Sequence, residues 1–456
     1  MSWTPTLAAD ETPLYEQLVR ALADDVAAGV LEPGARRPPQ RDLAFRLGLG
    51  VGTVTKAYAE AERRGLLAGH VGRGSFVAQP RGAAAAGDKL DMARNLPPSA
   101  PVEARLGPTM ARLARRADMA DRIGYPPPGG FEADRLAGAS WLMHIAGWGD
   151  LGPARVICTA GAQQAVAVAL ATACRPGDAI IAEAATFGGL KALAEQMDYR
   201  LVPAAIDGQG LTPEALDRAA HETGARACYV LPTHNPTTRI MGAGRRREIA
   251  EVARARDLVL VEDDLYGGYA MELGLSPLAR LAPERVFHAT SLSKTLSPGL
   301  RAGYLVAPQG GEQQERALSA LHAIALGPPG FGLALATQWI EDGSAAAILD
   351  ENRAEMAART ALAIEILGPA MERPAAAASL HAWLPLSEIA AERAAARALR
   401  AGVEVTPPGE MILAGTLVSG LRLCLGAARD RAALARGLRV VKAAVGEAGE
   451  ARRDIV

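Results

Sequence analysis

Lysine is scarce in this chain. Five residues (Lys56, Lys89, Lys191, Lys294 and Lys442) stand beside 44 arginines in 456 positions, so a lysine in a special setting is conspicuous. Cysteine is sparser still, at four residues. Cys158, Cys174, Cys228 and Cys424 lie far apart in apolar runs, without CxxC or Cys/His spacing. That excludes a zinc module and a disulfide framework, and reads as buried free thiols in a reducing compartment. No apolar stretch of about 18 residues is present, which excludes a membrane-spanning helix. No signal peptide opens the sequence, so a cytoplasmic location is expected. Net charge is only −1, which excludes a generic polyanion binder and turns attention to local charge. What is present is ordinary globular material: 49% hydrophobic and 22% charged residues, enough for two or three domains.

The N-terminal portion reads as three helices and a hairpin. Leu14, Leu18, Leu22 and Val26 form an apolar stripe at helical spacing, with Thr12 as N-cap and Pro13 at the first position. A second helix is predicted over 40–47, stopped by Gly48, and a third over 52–64, stopped by Gly65. Leu66-Leu-Ala and Ser75-Phe-Val-Ala alternate like short strands around a basic tip at His70-Val-Gly-Arg73-Gly. Residues 34–81 hold nine Lys/Arg against three acids, an excess that suits a phosphate-facing surface.

Residues 79–90 are small and polar and read as a linker between an N-terminal domain of 1–78 and the remainder. Beyond it, apolar runs such as Val156–Thr159, Ala179–Ala182, Ala227–Leu231, Leu258–Glu262 and Val286–Thr290 alternate with helical stretches. That alternation predicts an α/β fold with a mostly parallel, doubly wound sheet over 91–330. A smaller C-terminal α+β subdomain is expected over 331–456, with a strand at Leu421-Arg422-Leu-Cys-Leu.

The first portion resembles the GntR-family winged helix. The match lies in Pro13-Leu-Tyr-Glu-Gln-Leu, Gly34-Ala-Arg-Arg-Pro-Pro-Gln-Arg41-Asp-Leu-Ala, Thr53-Val-Thr-Lys56-Ala-Tyr58 and Gly72-Arg73-Gly74-Ser-Phe-Val77. The resemblance implies that the third helix enters the major groove of double-stranded DNA. Arg41, Thr53, Thr55 and Lys56 would then contact DNA, with Arg73 reaching a minor groove from the wing. Arg37 stands where the family usually has an apolar residue, and Pro39 where Ser is common.

Ser291-Leu-Ser-Lys294-Thr-Leu-Ser-Pro-Gly-Leu-Arg301 and, upstream, Glu262-Asp263-Asp264-Leu-Tyr266 point to pyridoxal 5′-phosphate (PLP). PLP needs a lysine for its aldehyde, a carboxylate for its ring nitrogen, a cradle for its phosphate and an aromatic cover. Lys294 is the candidate amine, and Ser291, Ser293 and Arg301 suit a dianionic phosphate. Asp263 ends an apolar run and is the ring-nitrogen candidate, although acids at strand ends are often only caps. Tyr266 and Asn235 would meet the ring hydroxyl. Gly161, Ala162 and Gln163 open a helix after a strand, where amides receive phosphate. Phe187 is placed to stack on the ring and would serve equally as core.

In this order the set resembles the fold-type-I aminotransferases over roughly 91–445. The resemblance adds Arg422 as a carboxylate binder and Tyr125 as a residue reaching a neighbouring subunit's phosphate. Phe187 departs from a usual Tyr, and Thr238 from a usual Gly. The two halves together resemble the MocR/GabR-type subfamily of GntR regulators, which usually form head-to-tail homodimers. That resemblance implies a PLP-dependent transcriptional regulator sensing an amine or amino acid by aldimine exchange at Lys294. The alternative is an active PLP-dependent aminotransferase with a DNA-binding appendage. No metal site is expected.

Overall fold

The computed structural model describes residues 3–7, 12–32, 34–70, 74–78, 89–413 and 415–450. The chain forms two compact units, Met1–Asp88 and Lys89–Val456.

In the first unit, α1 (Leu14–Ala27), α2 (Gln40–Leu47) and α3 (Val51–Arg63) precede a hairpin of β1 (Leu67–His70) and β2 (Gly74–Val77). The helices converge because their apolar stripes face one another. Leu18, Leu22, Leu43, Val54, Ala57, Tyr58 and Ala61 form one buried cluster. Gly48, at φ +64, ends α2 in the left-handed conformation that its sequence position predicts. The first helix starts one residue later than expected. Pro13 occupies its N-cap at ψ 137 with no side-chain cap, while the Thr12 carbonyl accepts from Gln17 Nε2 at 2.8 Å. The wing residue Arg73 and residues 79–88 of the expected linker lie outside the described residues.

The second unit opens with β3 (Leu90–Asp91) and α4 (Glu132–Ala146), then β4 (Val156–Thr159), α5 (Ala162–Ala173), β5 (Ala179–Glu183), α6 (Gly188–Gln196) and β6 (Arg200–Ala204). It continues through β7 (Ala227–Val230), α7 (Ala243–Ala255), β8 (Val259–Asp263), β9 (Val286–Ser291) and β10 (Gly303–Val306). These strands build a seven-stranded sheet in the order β4-β10-β9-β8-β7-β5-β6. Only β10 runs against its neighbours. Strand side chains alternate between two buried faces, as a sheet covered on both sides requires. Cys228, Val230, Leu260 and Val286 pack into one core; Tyr229, Val261, Phe287 and Ala289 pack into the other, against α5.

The chain then enters α8 (Gly330–Glu341) and α9 (Ser344–Leu367), followed by β11 (His381–Pro385), β12 (Val403–Glu404), β13 (Gly420–Cys424) and α10 (Arg431–Glu450). A cut at 330 would strip α8 from the core it fills, since Leu333, Leu335 and Trp339 belong to the large-sheet cluster. The cores change over inside α9. Ile348 and Leu349 pack with the large sheet, and Met356, Ala363 and Leu367 pack with the smaller subdomain. The residues just after the first unit also belong to the smaller subdomain: β3 pairs in parallel with β12, and Met92 lies in its core. Among the described residues, no helix is long and apolar enough to cross a membrane, and no group of three metal-ligating side chains occurs.

Candidate DNA-binding surface and cofactor site

On the first unit, α3 turns Val54, Ala57, Tyr58 and Ala61 inward, which leaves the opposite helical face to solvent. Thr55 and Lys56 are exposed on it, Thr53 is half-buried, and Arg41 is exposed on α2. Thr55 Oγ1 donates to Gln40 Oε1 at 2.7 Å, and the Tyr58 hydroxyl donates to the Pro38 carbonyl at 2.9 Å. These bonds fix α3 against the start of α2 despite Pro39. Lys56 Nζ lies 3.8 Å from the Tyr15 ring centroid, a cation–π contact that orients its charge. Arg63 and Arg64 both pair with Glu60, so two of the nine basic residues are already partnered. Arg37 is buried rather than displayed; its guanidinium lies over the Trp3 ring at 5.7 Å.

On the second unit, the ends of β4, β8 and β9 meet. Gly161 turns the chain from β4 into α5 at φ +96, a conformation that glycine adopts without strain. A Cβ there would stand 3.2 Å from Arg301 Nη2 and 3.6 Å from Ser291 Oγ. Thus the α5 N-terminus, a serine and an arginine enclose one small space, with Ser293 Oγ 2.8 Å from Ser291 Oγ. This is a donor-rich cradle of the kind that holds a phosphate. Arg301 Nη2 donates to the Ala160 carbonyl at 2.5 Å, which locks the guanidinium across the turn.

Lys294 follows β9 in a tight turn, with Nζ donating to the Asn95 carbonyl at 2.7 Å. Burial brings its ammonium down to about 8. Asp263 ends β8. Burial pushes its carboxyl up to about 7, while the Tyr229 hydroxyl, donating to Oδ2 at 2.5 Å, opposes the shift. Its other oxygen, Oδ1, is buried without a hydrogen-bond partner. A buried acid with an orphaned oxygen lacks a donor, and a protonated ring nitrogen would be both donor and countercharge. The cradle, the desolvated amine and the orphaned acid fit PLP.

The Tyr266 hydroxyl accepts from Asn95 Nδ2 at 2.9 Å, which orients the phenol and leaves its own O–H to donate. Asn235 Oδ1 accepts from Arg422 Nη1 at 3.0 Å. Arg422 also donates through Nη2 to the Ala93 carbonyl and to Thr406 Oγ1, while its Nε is buried without a hydrogen-bond partner. Gln163 Nε2 donates to the Gly189 carbonyl, and a Cβ at Gly189 would collide with the Phe187 ring, so these residues pack together at the α6 start. Ala162 is buried in the first turn of α5. Tyr125 stands apart, 85% exposed on the surface of the unit.

Sequence reasoning missed Asn95, Tyr229, His234 and His381. Asn95 Nδ2 lies 3.2 Å from His381 Nδ1, so one residue joins Tyr266 and His381 through its side chain and Lys294 through its backbone carbonyl. Burial holds His234 down to about 3, and it also keeps His381 well below its ordinary value. The one legible signal was Tyr229, a phenol in an otherwise aliphatic strand. Asn95 sits in an irregular segment before Pro97, where no periodicity marks it.

Residues 14–77 match bacterial regulatory proteins of the gntR family, and residues 86–441 match aminotransferase class I and II. The HTH-type transcriptional regulator YdeF of Bacillus subtilis is 32% identical over 317 residues, covering 68% of each chain. The pyridoxine biosynthesis transcriptional regulator PdxR of Corynebacterium glutamicum is 29% identical over 335 residues, covering 70% of this chain and 71% of that protein. Among solved structures, the multiple substrate aminotransferase of Thermococcus profundus superposes with a TM-score of 0.69 at 23% identity. That match covers 80% of this chain and 93% of that one, and shows a shared fold. The chain belongs to the family of HTH-type transcriptional regulators that join a gntR-family DNA-binding domain to an aminotransferase class I and II domain.

Proposed function

We propose that this protein is a PLP-dependent, DNA-binding transcriptional regulator that responds to an amine or amino acid through Lys294. One observation carries the reading. Lys294 and the orphaned Asp263 share a desolvated site at strand ends, in a chain that also bears a gntR-family winged helix. PLP, when bound, supplies an aldehyde that takes a primary amine and a ring that withdraws electrons from it. Lys294 would hold that aldehyde, and Asp263 would keep the ring nitrogen protonated. Ser291, Ser293, Arg301 and the α5 amides at Gly161–Gln163 would hold the phosphate, with Phe187 against the ring. An amine displacing Lys294 changes DNA binding only to the extent that it favours one state of the protein over another.

The reading includes a cytoplasmic, head-to-tail homodimer on two DNA half-sites. Exposed Ile123, Tyr125, Ile324, Leu326 and Phe331 on the aminotransferase-like unit support an apolar partner face. Tyr125 would reach the partner's phosphate. Arg41, Thr53, Thr55, Lys56 and Arg73 would meet the operator. The deciding experiment titrates the protein onto the DNA upstream of its own gene, with and without PLP, against excess non-specific DNA. Saturable, competitor-resistant binding that changes with PLP supports the reading; binding no tighter than to competitor refutes it.

A second reading is an active aminotransferase. Its support is that Lys294 bonds Asn95, which bonds Tyr266, that Arg422 bonds the carbonyl of neighbouring Ala93 and Asn235, and that Asp263 feels the Lys294 charge. Amino transfer to a 2-oxo acid at about 1 s⁻¹ or more would favour it.

A further inference from the structure

Asp263 and Asp264 are consecutive at the end of β8, so their side chains leave on opposite faces of the sheet. Asp263 faces the cofactor cradle. Asp264 faces a separate cavity of about 350 Å³, between the C-terminal end of α4 and the loop 264–276. That size lies within the range of small-molecule sites.

The walls of this cavity carry charge of both signs. Asp264 is 6% exposed, and its Oδ1 is buried without a hydrogen-bond partner. Gly267 packs its backbone against that carboxylate, where a Cβ would lie 2.5 Å from both oxygens, and its backbone N–H donates to the carboxylate, which leaves Oδ1 as the unfilled acceptor. Arg246 is 4% exposed and held rigidly: Nε donates to the Met241 carbonyl at 2.9 Å and Nη1 to the Ser276 carbonyl at 3.0 Å. Its Nη2 makes no hydrogen bond among the described residues, and the nearest acid, Glu262, is 3.9 Å from Nη1. Glu262 is otherwise engaged by His288 and by the Leu278 and Ala279 amides. Arg280 stands at the rim, where Nη1 donates to the Gly147 carbonyl and Nε lies 3.7 Å from the exposed Asp150 carboxylate, and His144 also lines the cavity.

We propose that this cavity is a second ligand site, taking an amino-acid-sized zwitterion whose ammonium meets Asp264 and whose carboxylate meets Arg246 and Arg280. A buried acid with an unfilled acceptor favours a cationic donor. The free edge of a fixed guanidinium, with a second one at the mouth, favours an anion. A molecule carrying both charges satisfies both walls, whereas a simple anion would face Asp264. Thr233 also lines the cavity, two residues before Asn235, so an occupant would touch both segments that carry cofactor-facing residues. The site is independent of aldehyde chemistry at Lys294.

The test uses the full chain, loaded with PLP and reduced with borohydride so that Lys294 can no longer exchange. Isothermal titration is run with each of the standard L-amino acids, with acetate and methylammonium as half-ligand controls. The expected result is binding of at least one amino acid and of neither control at the same concentration. Asp264→Asn should weaken that binding about tenfold, the loss of one charge-assisted hydrogen bond. If circular dichroism shows Asp264→Asn to be unfolded, Arg280→Ser at the exposed rim decides, with an expected loss of about threefold. No binding by any amino acid, or binding undiminished in the folded variant, overturns the proposal. Failure to take up PLP would appear in the absorbance before reduction and would bear only on the reading of Lys294. The titration on the cofactor-free chain then tests this site directly.

Discussion

Lys294 Nζ donates to the Asn95 carbonyl at 2.7 Å, while the Asn95 side-chain amide donates to the Tyr266 hydroxyl at 2.9 Å. One residue from the first segment of the aminotransferase-like unit thus holds both the amine and the phenol. Asn95→Ala removes the donor to Tyr266 and the neighbour of His381 Nδ1, leaving buried polar groups without partners. The expected loss is about 1–3 kcal/mol of stability, read from urea unfolding.

The buried Lys294 amine sets a pH dependence for cofactor capture. Only the neutral amine attacks an aldehyde. With its pKa lowered to about 8, the rate of PLP uptake by cofactor-free protein should climb with pH and level off just above that value. An ordinary lysine would keep the rate climbing to about pH 10.4. Stopped-flow absorbance across this range measures it, and Lys294→Ala should abolish the signal.

Tyr229→Phe removes the hydroxyl that donates to Asp263 Oδ2. That hydrogen bond opposes the upward push of burial, so without it the acid becomes more fully protonated near neutral pH. A neutral acid holds a pyridinium poorly. PLP affinity at about pH 7.5 should fall about tenfold, as measured by absorbance titration.

Thr238 adopts φ +63, in the region where a branched side chain is strained. Thr238→Gly relieves about 1–2 kcal/mol of that strain. It returns about 0.4–1 kcal/mol through the freer unfolded chain. The net expectation is a gain of about 0.5–1 kcal/mol, measured as a shift in the denaturant midpoint at constant slope.

Glu262 and His288 form a buried pair at 3.0 Å. Burial pushes Glu262 up, but His288, Arg246 and the Leu278 amide together hold it below its ordinary 4.5. Burial pulls His288 down, and Glu262 outweighs it, leaving the imidazole above 6.5. The glutamate's contribution is therefore complete above about 4.5 and lost as pH falls; the histidine's is complete below about 6.5 and lost as pH rises. The stability difference between the parent and His288→Gln should be greatest between these values and should narrow on either side in pH-resolved urea unfolding.

Much of this architecture was legible in the residues. The strands were readable because a sheet buried on both faces makes continuous apolar runs, as in Val156–Thr159 and Val286–Ser291. Gly48 and Gly65 announced the ends of α2 and α3 through their freedom at positive φ. Lys294, Asp263, Ser291 and Gly161 stood out because strand ends in such a sheet gather ligand-facing residues. Asn95 and His381 did not, because long-range hydrogen bonds leave no local pattern. The partners of Arg422 were hidden for the same reason: an arginine read along one strand gives no sign of Asn235, Ala93 and Thr406, to which it donates. The opposing directions of Asp263 and Asp264 follow from strand alternation, yet only the fold shows what each one faces.

The 24-residue α9 belongs to two cores at once, gripping the large sheet through Ile348 and Leu349 and the smaller subdomain through Met356 and Leu367. A helix of that length is a stiff rod of about 36 Å. It acts as a driveshaft between the two bodies. The smaller subdomain cannot shift by rotating freely; it must bend the shaft or slip one set of side chains past another. Either route crosses a barrier, because packed interiors jump between arrangements and do not deform smoothly. Motion at one end of the rod is therefore delivered to the other in discrete steps.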